Sequence, residues 1–291
     1  MPSPTSAGAW PLGLPFASVV VVALLYFLGG RQRVSPRRGD VESRARAAAF
    51  YAGLASILVA LDSPLDPLAD RLFAAHMTQH VLLLTVAPPL IVLAAPWNRI
   101  WQPLPLGFRR TLAKAVVRHP AGRPLRLAAR LAARPLSAWL LFDANLVVWH
   151  VPALYDATLR DQAIHDLEHA LFLFTGLLFW AQIVESPPLR AGLGWLGRVA
   201  YTTGAIVVGW VLAIVLALAP TPLYEPYASL AHRPGGLSAL ADQQIAAGVM
   251  WVPGSIAYTI AFIVLFYRWL GPESHGLARR RPAGVARVAE P

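Results

Sequence analysis

His76 and His80 stand four residues apart in His76-Met77-Thr78-Gln79-His80, and His165 and His169 repeat that spacing in His165-Asp166-Leu167-Glu168-His169. Residues i and i+4 of a helix project from one side, so each pair offers two imidazoles to one neighbour. His150, just before Pro152, is a fifth. The ordinary use of a membrane histidine is a hydrogen bond between helices. Imidazole also ligates copper, zinc and iron, so two pairs and a fifth ring predict a metal or haem centre. Met77 and Met250 would add thioether sulfur, a soft ligand that favours Cu(I), where methionine otherwise packs. Asp62, Asp66, Asp70, Asp166 and Glu168 lie near these histidines in the sequence. They either orient the imidazoles as outer partners or form an acidic outer surface. Asp143 is two helical turns from His150 on the same face, and an intramembrane carboxylate tends to face a cavity or a partner. It is expected to support the site without binding the ion, through a proton path or an interhelical hydrogen bond beside Asn145. Asp242 and Gln243 open the last apolar segment, either as a cap on its N-terminus or as further outer partners of the ion.

The elements that must position these groups are transmembrane helices. Of the 291 residues, 56% are hydrophobic and 14% charged, with mean hydropathy +0.52. An average soluble domain is about one-quarter charged, so there is too little polar surface to coat a globule. Segments of apolar residues recur at about 12–30, 47–61, 73–95, 136–154, 164–184, 199–219 and 245–270, against the roughly 20 residues a bilayer core requires. The pattern predicts an all-α bundle of seven transmembrane helices forming one domain over 1–291. No basic n-region precedes the first segment, which therefore reads as a retained helix and not as a cleavable signal. Absence of cysteine excludes disulfides, thiolate nucleophiles and iron–sulfur ligation.

Charge sets the direction. Residues 31–46, 97–135, 185–198 and the tail from 268 hold 22 of the 25 basic residues, and the intervening loops hold Arg71, Arg160 and Arg233 with nine acids. By the positive-inside rule the N-terminus is outside and the C-terminus cytoplasmic. The net charge of +10 thus belongs to orientation in a lipid bilayer and calls for no nucleic acid. Within the basic loop 97–135, Arg123, Arg126, Arg130 and Arg134 recur at helical spacing. This predicts either an interfacial helix on anionic lipid or a solvated loop. The segment 271–291 reads as a basic cytoplasmic tail. Counting 20 residues out from the cytoplasmic ends puts His76 and His165 at the outer boundary, with His80 and His169 one turn inside. His150 falls about 7 Å below it. Five imidazoles on three helices therefore share one outer layer.

The blocks around these residues carry a resemblance. Ala75-His76-Met77-Thr78-Gln79-His80-Val81-Leu82-Leu83-Leu84, then Ala87-Pro88-Pro89 and Ala95-Pro96, resemble the multi-span CtaG family of caa-type cytochrome c oxidase assembly proteins. So do Trp149-His150-Val151-Pro152-Ala153-Leu154-Tyr155-Asp156, His165–His169, Asp62-Ser63-Pro64-Leu65-Asp66, and Leu240-Ala241-Asp242-Gln243-Gln244 leading to Met250-Trp251-Val252-Pro253-Gly254. The resemblance implies a multi-pass bacterial plasma-membrane protein, cytochrome c oxidase subunits as partners, and a role at copper insertion. Two competing functions stand beside it. One is an intramembrane zinc hydrolase, with three histidine ligands, a metal-activated water and Asp143 or Glu168 as general base. The other is a haem-binding or haem-transfer protein with axial imidazoles from two helices.

Overall fold

A computed structural model describes residues 13–31, 40–186 and 192–271, and the tail 271–291 with His275 lies, after Gly271, outside them. Among the described residues the long elements are all helices: Leu14–Arg31, Asp40–Leu61, Phe73–Ala94, Pro135–Trp149, Gln162–Ile183, Trp195–Leu218 and Ala239–Leu270. Five of these are long and apolar enough to cross a membrane. The count rises to six if Pro120–Ala132 and Pro135–Trp149, bent by 83°, form one span. The remaining candidate, Gln162–Ile183, is 22 residues long, but its first two turns carry His165, Asp166, Glu168 and His169. Several boundaries move, and the largest shift is in helix Asp40–Leu61, which begins seven residues before 47. Helix Pro135–Trp149 stops at His150, where Pro152 starts a separate short helix, Pro152–Arg160, so 136–154 is not one element. Helix Ala239–Leu270 begins six residues before 245, because Ser238 caps it by accepting from Ala241 N at 3.1 Å.

Phe73–Ala94 is the hub. It is 72% buried, against 28% or less for the four other apolar candidate spans. Its middle turn, Leu82–Val86, is π-helical, with Ala87 N donating to Leu82 O. The cause is local. Pro88 and Pro89 have no N–H for Leu84 O and Thr85 O, and Trp180 Nε1 instead donates to Leu84 O at 2.9 Å. Such single-turn bulges often mark functional positions, and this one begins two residues after His80. The helix ends at Ala95, whose φ of 48° is left-handed, followed by Pro96. Helix Gln162–Ile183 lies so close that a Cβ on Gly176 would come within 2.8 Å of Pro88 Cγ.

Below the histidine layer, Phe142, Phe179, Tyr201, Trp180 and Tyr258 stack through centroid distances of 4.2–5.9 Å. Above it, Phe73, Tyr155, Tyr224 and Tyr227 form a second buried cluster. These tyrosines come from the short helix Pro152–Arg160 and from the connection around helix Glu225–Ala228. Polar side chains drawn from both sides are thus closed in between two aromatic layers.

Candidate metal centre

His76, His80, Glu168 and His169 each offer one ligand atom, and these four atoms all lie within 4.8 Å of one another. All four side chains are buried. Glu168 Oε2 is 3.4 Å from His76 Nε2 and Oε1 is 3.5 Å from His80 Nε2. Those separations are too long for good hydrogen bonds. His76 Nε2, both ring nitrogens of His80, both carboxylate oxygens of Glu168 and His169 Nε2 are left without hydrogen-bond partners. Buried polar atoms are nearly always paired, because an unpaired one costs about 1–3 kcal/mol. Four residues that leave such atoms unpaired and bring one ligand atom each within 4.8 Å of one another fit a cation. Neighbouring nitrogen ligands on a tetrahedral ion stand about 3.4 Å apart, so the four atoms would need to draw together only slightly to hold one.

The surroundings orient the ligands. Burial pushes the Tyr227 phenol well above its usual range, so it keeps its proton. Its hydroxyl donates that hydrogen to Ala69 O at 2.6 Å and so can only accept from His76 Nδ1, 3.3 Å away. The His76 hydrogen is therefore on Nδ1, and the Nε2 lone pair points at the cluster, the outer-partner arrangement usual for metal-binding histidine. Gln79 Nε2 donates to Ala60 O (2.7 Å) and Asp66 Oδ1 (3.0 Å), locking the helix between its two histidines. Asp242 accepts from Phe73 N at 2.8 Å and Ala74 N at 3.0 Å. Leu72, at the cap position, makes no such side-chain bond. Asp242 thus caps, from 169 residues away, the helix that carries His76 and His80, an interaction worth about 1 kcal/mol or more.

The other expected site residues are distributed around this core. His165 lies 4.1 Å, centroid to centroid, from His169, at the edge of the cluster. Its Nδ1 accepts from Gln162 Nε2 at 3.3 Å, which leaves its other nitrogen to carry the hydrogen. His150 is 6.1 Å from the His80 ring and faces Met77, with Nε2 3.3 Å from Sδ. Met250 lines a cavity of about 50 Å³ beside His80 that also reaches Met77, His150, Trp210 and Tyr258. Gln243 accepts from Leu223 N (2.8 Å) and donates to Leu216 O (3.0 Å), bracing the outer loop. Asp143 lies deeper, with both oxygens unpartnered. In the sequence Glu168 reads as an outer partner, as part of an acidic outer surface or as a general base, and Tyr227 carries no site signal. For Glu168 a signal existed: it shares the buried face of its helix with His165, His169 and Phe172, whereas Asp166 is exposed.

Asp66 supplies a pH test outside the membrane-spanning segments. Burial pushes its carboxyl up to about 6, with Asp70 and Asp62 adding to the rise and Gln79 and His76 opposing it. The unfolded value is about 3.9. The folded state therefore holds this proton more tightly, and the stability it contributes is full below about pH 4 and lost as pH rises through about 6. Asp66→Asn, which keeps an oxygen for Gln79, is expected to remove that decline. Thermal midpoints of both proteins in detergent between about pH 4 and 7 check this, and parallel curves would refute it.

The family profile described as cytochrome c oxidase caa3 assembly factor (Caa3_CtaG) matches residues 24–271. Among curated proteins, Mb0105 of Mycobacterium bovis and MT0111 of Mycobacterium tuberculosis are each 24% identical over 261 residues, and ML1998 of Mycobacterium leprae is 21% identical over 277. These matches cover 87–93% of this chain but 38–41% of the relatives, so the chain spans about two-fifths of their length. No solved structure matches. The profile runs from within the first helix to the end of the last, including every residue of the His/Glu cluster, and the chain belongs to the Caa3_CtaG family of cytochrome c oxidase caa3 assembly factors.

Proposed function

We propose that this protein assists copper insertion into a caa-type cytochrome c oxidase, with copper as its cargo and His76, His80, Glu168 and His169 as the holding site. The observation that carries this is the meeting of four buried residues, three of them histidines, whose ligand atoms lie within 4.8 Å of one another while six of their ring and carboxylate atoms lack hydrogen-bond partners. Imidazole ligands suit Cu and Zn, and affinity for divalent copper exceeds that for zinc at a given site. Glu168 contributes a negative charge that offsets part of the ion's charge in a low-dielectric interior. A porphyrin fits poorly: the rings of His76, His80, His165 and His169 already pack at centroid distances of 4.1–5.5 Å. The protein acts as a carrier that hands its ion to oxidase subunits and not as a catalyst.

The site works from the outer face of the bacterial plasma membrane. Seven spans, N-terminus outside, bring both histidine pairs to that face. In this reading Pro135–Trp149 and Gln162–Ile183 complete the seven, and the exposed helix Arg123–Ala132, on the far side of the 83° bend before Pro135, would lie along the cytoplasmic surface. Its arginines meet lipid headgroups there, with Leu127 and Leu131 as the apolar edge. Reporter fusions after residues 40, 115, 192 and 280 are expected in the cytoplasm, and those after 66, 158 and 230 outside. A cytoplasmic signal at 158 would remove the histidines from the outer face. Copper content of the oxidase purified from cells lacking this protein tests the function itself. The expected result is an oxidase with haem and little copper, and full copper would refute the proposal.

A further inference from the structure

We propose that Met77, His150 and Met250 form a second metal site, separate from the His/Glu cluster and selective for a soft monovalent cation such as Cu(I). It rests on the reading of the protein as a metal carrier but on different atoms. His150 Nδ1 is 2.7 Å from Leu146 O. A carbonyl only accepts, so Nδ1 carries the hydrogen and a neutral ring keeps its lone pair on Nε2. That lone pair points at Met77 Sδ, 3.3 Å away, which is itself a lone-pair donor. Met77 is fully buried and His150 almost so. Two electron-pair donors held face to face, with no hydrogen to share, are an arrangement that a Lewis acid satisfies. A doubly protonated ring would instead place a buried cation against a cavity that no carboxylate lines. Nitrogen and sulfur bound to one tetrahedral ion stand about 3.6 Å apart, close to the observed separation.

The position of His150 is imposed by its surroundings. It ends helix Pro135–Trp149, its N donates to Val147 O at 3.2 Å, and its carbonyl accepts from Tyr224 Oη at 3.1 Å. Met250, from helix Ala239–Leu270, lines the same cavity, which gives three donors from three helices. The chemistry of the set differs from that of the cluster. Two thioethers and one imidazole are soft donors, which select Cu(I). No carboxylate lines the cavity, so nothing there compensates a second positive charge, and the low dielectric favours a monovalent ion. His80 lines the cavity and also belongs to the cluster. The soft site and the harder site therefore meet at His80.

The test uses Ag+ as a redox-inert soft monovalent probe and Co2+ as a divalent one, each titrated by equilibrium dialysis into the purified full-length protein in detergent. Met77→Leu conserves volume and is expected to lower Ag+ affinity at least about tenfold, the lower bound for a disturbed metal shell. Co2+ affinity should stay within about twofold. X-ray absorption of the Cu(I)-loaded protein should show a sulfur neighbour at about 2.3 Å that is missing in the Met77→Leu, Met250→Leu double variant. Glu168→Gln should do the reverse, losing Co2+ and keeping Ag+. Unchanged Ag+ affinity and sulfur signal in the double variant would overturn the second site, as would joint loss of both ions in Met77→Leu. Co2+ retained by Glu168→Gln, with Ag+ still lost in Met77→Leu, would count against the His/Glu cluster alone.

Discussion

Purified His169→Ala and His80→Ala proteins are expected to hold less than about one-tenth of the metal bound by the wild type, and cells carrying either to assemble an oxidase short of copper. The reason is cooperative ligation. In the proposed site four residues would close one shell, and changes merely to the partners behind a metal ligand cost about 10–100-fold in affinity, so loss of a ligand costs at least as much. His119→Ala is the control, since that exposed ring only accepts from Ala121 N in a local turn. Glu168→Gln separates function from stability. The metal-free wild type buries a carboxylate with both oxygens unpartnered, whereas a neutral amide of the same shape costs less to bury. Metal-free Glu168→Gln should therefore be more stable than metal-free wild type, by about 1–3 kcal/mol, while binding less metal, a trade usual at functional sites. Denaturation of both metal-free proteins measures the first, and metal analysis the second. Full metal and full oxidase activity in His80→Ala and His169→Ala would make the cluster structural.

Gly176→Val is expected to damage both folding and binding although it touches no ligand. A Cβ there would lie 2.8 Å from Pro88 Cγ and 3.3–3.4 Å from the carbonyl oxygens of Leu83 and Leu84. The proline ring cannot rotate away, and the carbonyls belong to the π turn that Trp180 braces. Helix Gln162–Ile183 must then move off the Phe73–Ala94 helix. Overpacking of this kind costs about 1–3 kcal/mol and occasionally more. The same shift separates Glu168 and His169 from His76 and His80, so metal affinity should fall by about tenfold or more. Thermal stability and metal titration of one preparation check both effects. Normal values for both would mean the helices are not held as close as Gly176 implies.

What the amino-acid order determined unaided is whatever depends on short-range geometry and composition. Long apolar segments required helices, because in lipid every backbone polar group must be satisfied within its own segment. The four-residue spacing put His76 with His80, and His165 with His169, on single faces. Counting from the charged loops placed all five imidazoles in one layer, and the blocks around them carried the family resemblance that the profile over 24–271 matches. Tertiary structure decided which members of that layer meet. Depth counting gives height along a helix but not the direction in which a face points, so it could not separate His150, which faces Met77, from His80, which faces Glu168. Glu168 entered the cluster because its helix turns the Glu168–His169 edge toward His76, while His165 is drawn to Gln162 at the rim. Asp242 became a cap for a helix 169 residues away, a pairing that no local periodicity encodes. The π turn in the middle of the first histidine helix depended on both levels: Pro88 and Pro89 removed its hydrogen bonds locally, and the packed Trp180 supplies one in return.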